Sequence, residues 1–209
     1  YWSPLLSIPH HLGTRLDTIP APIPYLRAAP ALVARWRPEL PATPLRVGLA
    51  WKGNPRFEND GQRSLPALAT LAPLGSVPGV GFVSLQKGAG ENEAARPPPE
   101  LPVLDLGSKM EDFADAAAIM AGLDLVISVD TAMAHLAGAL GVPCWLLLPD
   151  YLTDWRWLKD RTDSPWYPGV MRLFRQPRTG DWDAVARTVR DELAALAATK
   201  EKGPPQGRT

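Results

Sequence analysis

The chain has 209 residues, enough for one generous domain with its own core, and its 22 Lys and Arg balance 22 Asp and Glu to a formal charge of zero. That balance excludes the broad basic footprint of a nucleic-acid binder and leaves any anion site to a compact group of cations. With 45% apolar and 21% charged residues, disordered, collagen-like and coiled-coil chains are excluded as well.

Residues 1–44 contain Pro20, Pro22, Pro24, Pro30, Pro38, Pro41 and Pro44. Proline fixes φ and removes an amide donor, so this stretch is expected to be a connecting segment of extended and turning backbone. It opens on Tyr1 without a charged-then-apolar leader and reads as sequence from the middle of a longer protein. From Leu45 onward, short apolar runs rich in β-branched residues alternate with helical patterns, which predicts βα units and a parallel sheet. Strands are expected at 45–51, 80–85, 103–106, 123–129, 142–148 and 170–174. The runs at 123–129 and 142–148 are apolar nearly throughout, as expected where helices cover both faces of the sheet. Cys144 lies in the second of these and is assigned to the core. Helices are expected from a Ser64 cap to about Leu74, over 111–122, over 131–140, and over 182–198 behind a Gly180-Asp181 cap. Residues 199–209 are polar and contain Gly and Pro, and are expected to form a disordered tail. No apolar stretch reaches the ~20 residues that a membrane helix needs, so the chain is expected to be cytoplasmic and not membrane-spanning. The fold class is thus α/β, a Rossmann-like parallel sheet covered by helices on both faces, occupying 45–198.

In such sheets ligands settle at the carboxyl ends of the strands, where helix N-termini offer free N–H groups to anions. Two junctions fit. In the first, Ser128-Val129-Asp130-Thr131-Ala132 turns a strand directly into a helix. At about 100° per residue, Thr131, Ala134, His135 and Gly138 form one stripe and Met133, Leu136 and Leu140 an opposite apolar one. The second stripe is expected to face the sheet, leaving His135 turned towards a ligand. Taken singly, Asp130 and Thr131 are readily explained as helix caps and His135 as a surface histidine. Their combination at a strand's end favours a site. In the second junction, Lys52, Gly53, Gly61 and Arg63 follow the first strand and supply cations and flexible backbone for a diphosphate. Neither Gly-x-Gly-x-x-Gly nor Gly-x-x-x-x-Gly-Lys-Ser/Thr is present, so a dinucleotide fingerprint and a nucleoside-triphosphate loop are excluded. Asp181-Trp182-Asp183 matches an Asp-x-Asp metal motif only superficially and sits where a helix cap is wanted.

The segment from Val126-Ile127-Ser128-Val129-Asp130-Thr131-Ala132 through His135-Leu136-Ala137-Gly138-Ala139-Leu140-Gly141-Val142-Pro143 resembles the Asp-Thr-x-x-x-His-x-Ala-x-Ala-x-Gly-x-Pro signature of the ADP-heptose heptosyltransferase family. The segments starting at Val47, Phe82 and Asp154 look like a bacterial branch of that family in which the domain follows tetratricopeptide repeats, an arrangement similar to O-GlcNAc transferases. The resemblance covers about residues 45–195, and residues 5–26 look like the end of a preceding acceptor-side domain. It implies the donor-binding half of a GT-B glycosyltransferase, with a nucleoside-diphosphate sugar as donor, no cofactor and no metal. The acceptor is a glycan, a lipid-linked sugar or a protein.

By the same resemblance, Lys52, Asp130 and His135 are the catalytic candidates and Lys52, Thr131 and Ala132 are expected to hold the donor diphosphate, with Arg63 added from the second junction. Gln86, Met110 and Phe113 approach the nucleoside, although apolar Met110 and Phe113 also suit packing. One departure stands at Ala132, where heptosyltransferases commonly have glycine. It keeps the amide and narrows the backbone's freedom. Charge growing on the leaving diphosphate would be met by Lys52, Arg63 and the helix amides as preorganised stabilisation. No general base is evident, so the segment alone is expected to be inactive. A non-catalytic sugar- or nucleotide-binding module of a repeat protein, and a GT-B-like epimerase, remain open alternatives.

Overall fold

A computed structural model describes residues 2–201. A 3-10 turn at Leu5–Ser7 leads into α1 (Ile8–His11), and α2 (Pro30–Trp36) continues as a 3-10 turn over Arg37–Glu39. Then come β1 (Leu45–Ala50), α3 (Asp60–Arg63), a 3-10 segment Leu68–Ser76, β2 (Val80–Ser84), α4 (Glu91–Ala94) and β3 (Val103–Asp105). The second half holds α5 (Phe113–Met120), β4 (Leu125–Val129), α6 (Ala132–Leu140), β5 (Cys144–Leu148), β6 (Met171–Arg175) and α7 (Trp182–Glu201).

The six strands form one parallel sheet in the order β3-β2-β1-β4-β5-β6. All six expected strands form, and every residue of β4 and β5 is buried. The order reverses between β1 and β4, whose register runs from Val47 beside Leu125 to Ala50 beside Ser128. A crevice opens at the carboxyl ends of two such strands, because their connections leave towards opposite faces. Successive side chains accordingly serve two cores. Val47, Leu49, Leu125, Ile127 and Val129 pack with Leu68, Leu71 and Leu74 and with Val185, Val189 and Leu193 of α7. Val83, Leu85, Val126, Leu146 and Leu148 pack with α5, α6 and Trp36. Each Leu- or Val-sized side chain so buried contributes about 1.5–3 kcal/mol.

Four expectations change. Proline density between 20 and 44 does not keep the segment extended: Pro30 stands in the first turn of α2, where its missing N–H costs nothing. Trp36 and Leu40 then enter the core, and the Trp36 indole donates to Asp115 of α5 at 2.7 Å, so the packed unit begins well before Leu45. Ser64 does not cap a helix running to Leu74. It ends α3, its hydroxyl accepts from the Gly53 N–H at 2.8 Å, and the segment after it is 3-10 with Pro73 inside. In α6 the fully buried residues are Ala134, Ala137, Gly138 and Ala139, whereas Met133, Leu136 and Leu140 are only half-buried. The sheet is approached through the small residues, which bring the helix backbone close. Finally, α7 continues to Glu201, three residues beyond its expected end, and the expected tail over 202–209 lies outside the described residues.

Asp181 does serve as a cap: its carboxylate accepts from the Ala184 N–H at 3.1 Å. Among the described residues no helix is long and apolar enough to cross a membrane, and no group of three or more His, Cys, Asp and Glu side chains is placed to hold a metal ion.

Candidate functional site

A cleft of about 1080 Å³ opens at the carboxyl ends of β1 and β4, where the strand order reverses. It is lined by Lys52, Arg63, Gln86, Phe113, Asp130, Thr131, Ala132 and His135, so seven of the residues singled out from sequence converge with Phe113 as an eighth at the rim. Met110 does not reach it. It is 4% exposed and packs in the core beside α5.

Arg63 ties the two junctions together. Its guanidinium donates from Nη1 to the main-chain carbonyl of Asp130 at 3.0 Å and from Nε to the Asp60 carboxylate at 3.1 Å, and lies 4.3 Å over the Phe57 ring. The loop after β1 is therefore fixed to the end of β4. Gly53 is needed in that loop because a Cβ there would meet Asp60 and Arg63 side-chain atoms at 2.5 and 2.6 Å.

Thr131 occupies the N-cap position of α6 but its hydroxyl makes no capping bond. It meets the Ser128 hydroxyl at 3.2 Å instead. The Ala132 and Met133 amides thus have no intrahelical partner, whereas the Ala134 N–H donates to the Thr131 carbonyl at 3.1 Å, and Thr131, Ala132 and Met133 all line the cleft. The Asp130 carboxylate does not cap either. Its Oδ1 stands 3.8 Å from His135 Nε2, outside hydrogen-bond reach. Burial raises the Asp130 pKa above its ordinary value, opposed by the neighbouring Trp157 indole, His135 and Arg63. Burial lowers that of His135, which keeps the imidazole neutral near pH 7.

His135 is held by two side chains. Its Nδ1 is 2.9 Å from the Tyr167 hydroxyl, and its ring stacks on Trp157 with centroids 5.3 Å apart. Trp157 is fully buried and its indole N–H has no hydrogen-bond partner. The segment 152–158, which carries Trp155 and Trp157, thus bounds the histidine side of the cleft, with Leu152, Thr153 and Asp154 in the lining. Arg175 anchors that segment through the carbonyls of Trp157 and Leu158. Across the mouth, Asn59 Nδ2 donates to the Leu152 carbonyl at 3.0 Å.

Two residues carry roles that spacing did not disclose. Gln86 lines the cleft, yet its amide is spent on backbone: Oε1 accepts from the Trp51 and Lys52 N–H groups at 2.9 and 3.0 Å, and Nε2 donates to the carbonyls of Lys52 and Ala89. It holds the ends of β1 and β2 in place. Glu93, not singled out from sequence, accepts from Lys52 Nζ at 2.7 Å, from the Trp51 indole at 3.0 Å and from the Leu68 N–H at 2.6 Å. Its only sequence signal is position, an acidic side chain in the short helix that follows the end of β2. Lys52, Arg63 and Lys87 in the lining are matched by Glu58, Asp130 and Asp154. The charges in the lining balance, so what the cleft offers is placed N–H donors rather than a positive field.

Comparisons with known proteins agree with this fold. The model of glycosyltransferase family 9 (heptosyltransferase) matches residues 79–145, from the start of β2 into β5. The curated protein FlbA of Caulobacter vibrioides is 32% identical over 209 residues, a match covering 95% of this chain and 34% of FlbA. The chain thus spans about a third of that relative's length. Among solved structures, E. coli ADP-heptose LPS heptosyltransferase II superposes with a TM-score of 0.62 at 19% identity, over 88% of this chain and 57% of that one. A glycosyl transferase family 9 protein from Veillonella parvula superposes with a TM-score of 0.61 at 14% identity, over 95% and 59%. The chain therefore carries a glycosyltransferase family 9 match on the fold that the heptosyltransferase structures share, a parallel Rossmann-like sheet with helices on both faces.

Proposed function

We propose that this chain is the donor-binding domain of a glycosyltransferase and that its cleft holds the diphosphate of a nucleoside-diphosphate sugar between Arg63 and the first turn of α6. The observation that carries the reading is the Arg63 bond to the Asp130 carbonyl. It places a guanidinium, a fixed point charge from Lys52 and the open amides of α6 around one cleft at the switch of strand order. These donors are in place before any ligand arrives, which is what stabilising charge on a leaving diphosphate requires. Asp130 and neutral His135 face the same space and would bind hydroxyl or phosphoryl oxygens of the donor. The exposed Phe113 ring at the rim would cover the nucleoside. Transfer is assigned to this domain acting with an acceptor-side domain, and the sugar acceptor and any general base are assigned to that partner. Calorimetric titration of ADP, UDP and GDP into the domain tests the donor reading. One-to-one binding of at least one of them is expected, and absence of heat for all three at about 1 mM, where ~4 kcal/mol of binding would show, overturns it.

A further inference from the structure

Tyr167 lies outside the cleft lining and is 7% exposed. Its hydroxyl is 2.9 Å from His135 Nδ1. We infer that Tyr167 is a positioning residue that holds His135 in the neutral tautomer protonated on Nε2, so that the cleft presents one fixed imidazole N–H beside Asp130. That this N–H meets a donor oxygen rests on the function proposed above; the tautomer itself does not.

The two neutral arrangements differ in what Nε2 shows to Asp130. With the proton on Nδ1, that N–H would donate to Tyr167 and the Nε2 lone pair would face a carboxylate oxygen at 3.8 Å, an unfavourable encounter. With the proton on Nε2, Tyr167 donates to Nδ1 and the Nε2–H faces that carboxylate. The groups around the ring besides Asp130 are Asp154, Arg156, Trp157 and Tyr167, and burial outweighs the two carboxylates in keeping it neutral. A distance of 3.8 Å is too long for a hydrogen bond, so the Nε2–H is oriented by Asp130 without being consumed by it. It remains available to an oxygen entering the cleft.

The packing shows why the arrangement is rigid. Gly138, one turn along α6 from His135, leaves its side-chain space to the tyrosine ring, since a Cβ there would stand 2.4 Å from Tyr167 Cδ1. Trp157 closes the face of the imidazole, and the Tyr167 N–H is anchored to the Ser164 carbonyl at 3.2 Å. Tyr167 and Trp157 thus hold the ring from the core side, while its open side, with the side chain 39% exposed, faces the cleft.

The test uses Tyr167→Phe, which removes the hydroxyl and keeps the ring against Gly138. Long-range 1H–15N NMR on the whole chain reads the His135 tautomer without any ligand. In the unsubstituted protein, a proton-free Nδ1 well downfield of a protonated Nε2 is expected, and in Tyr167→Phe the two resonances should converge as the tautomers mix. A protonated Nδ1 in the unsubstituted protein, or an unchanged pair in the variant, overturns the inference. ADP affinity gives a second, independent reading. Tyr167→Phe should weaken binding about fivefold, a typical effect of one misplaced hydrogen bond, but should change nothing further in a His135→Gln background, where no tautomer exists. An equal loss in both backgrounds means that Tyr167 acts through packing and overturns its positioning role. If ADP fails to bind the unsubstituted protein, the donor reading falls while the NMR result still decides the tautomer.

Discussion

The Arg63 guanidinium donates to the carbonyl of Asp130 at 3.0 Å, joining the loop behind β1 to the last turn of chain before α6. Arg63→Ala removes this bond together with the ion pair to Asp60 and the contact over Phe57. With its side chain 19% exposed, the loss should be about 2 kcal/mol, as for hydrogen bonds to charged groups. Thermal unfolding should show it as a fall of about 5 °C, and ADP affinity should fall at least as steeply in calorimetry.

Asp130 should behave in the opposite way. Its folded pKa is raised, chiefly by burial, so the ionised carboxylate at neutral pH opposes folding, and the stability its raised pKa confers is fully present below the ordinary aspartate value of 3.8 and lost as pH rises through the higher folded value. Asp130→Asn is therefore expected to raise the melting temperature at pH 7, an advantage that disappears on acidification below that value. The same variant should weaken ADP-sugar binding. Loss of stability in melting curves at pH 7 would mean that Asp130 serves the fold.

Glu93 titrates in the other direction. Burial would raise its pKa, but the Lys52 ammonium, the Leu68 N–H and the Trp51 indole together hold it below the ordinary 4.5. Its stabilising effect is accordingly present above 4.5 and lost as pH falls through the lower folded value. In Lys52→Ala the folded pKa rises towards the ordinary one, so acid unfolding should begin at higher pH. Fluorescence-monitored acid titration of the two proteins checks this, and coincident curves would show that the pair contributes nothing.

Gly138→Ala tests the seat of the tyrosine ring. A Cβ 2.4 Å from Tyr167 Cδ1 forces ring or helix to move, and such overpacking costs about 1–3 kcal/mol. Chemical denaturation should show that loss with an unchanged m-value.

The sheet was legible because β4 and β5 are buried on both faces, and burial on both faces demands continuous apolar runs such as Leu125–Val129 and Cys144–Leu148. The junction at Asp130 was legible for a related reason: a polar pair interrupting an apolar strand at its end has few explanations. What the residues did not disclose is long-range. Hydrophobicity ranks Met133, Leu136 and Leu140 above alanine, so periodicity turned α6 the wrong way, whereas close approach to the sheet selects Ala134, Ala137 and Gly138. Trp36 looked like linker because its partner Asp115 lies 79 residues away. Gln86 is expected at the nucleoside and lines the cleft, but nothing local in the sequence marks an amide whose bonds go to neighbouring backbone. Glu93 carries no local signal for the same reason, its three donors coming from two distant segments, Trp51-Lys52 and Leu68.

The central claim, that a nucleoside diphosphate sits between Arg63 and the first turn of α6, is tested most directly by mapping backbone amide chemical shifts while ADP is titrated. The largest changes are expected on Gly53, Thr131, Ala132 and Met133, saturating together and vanishing in Arg63→Ala. Saturable changes confined to another face of the sheet, with these four amides unmoved, would contradict it.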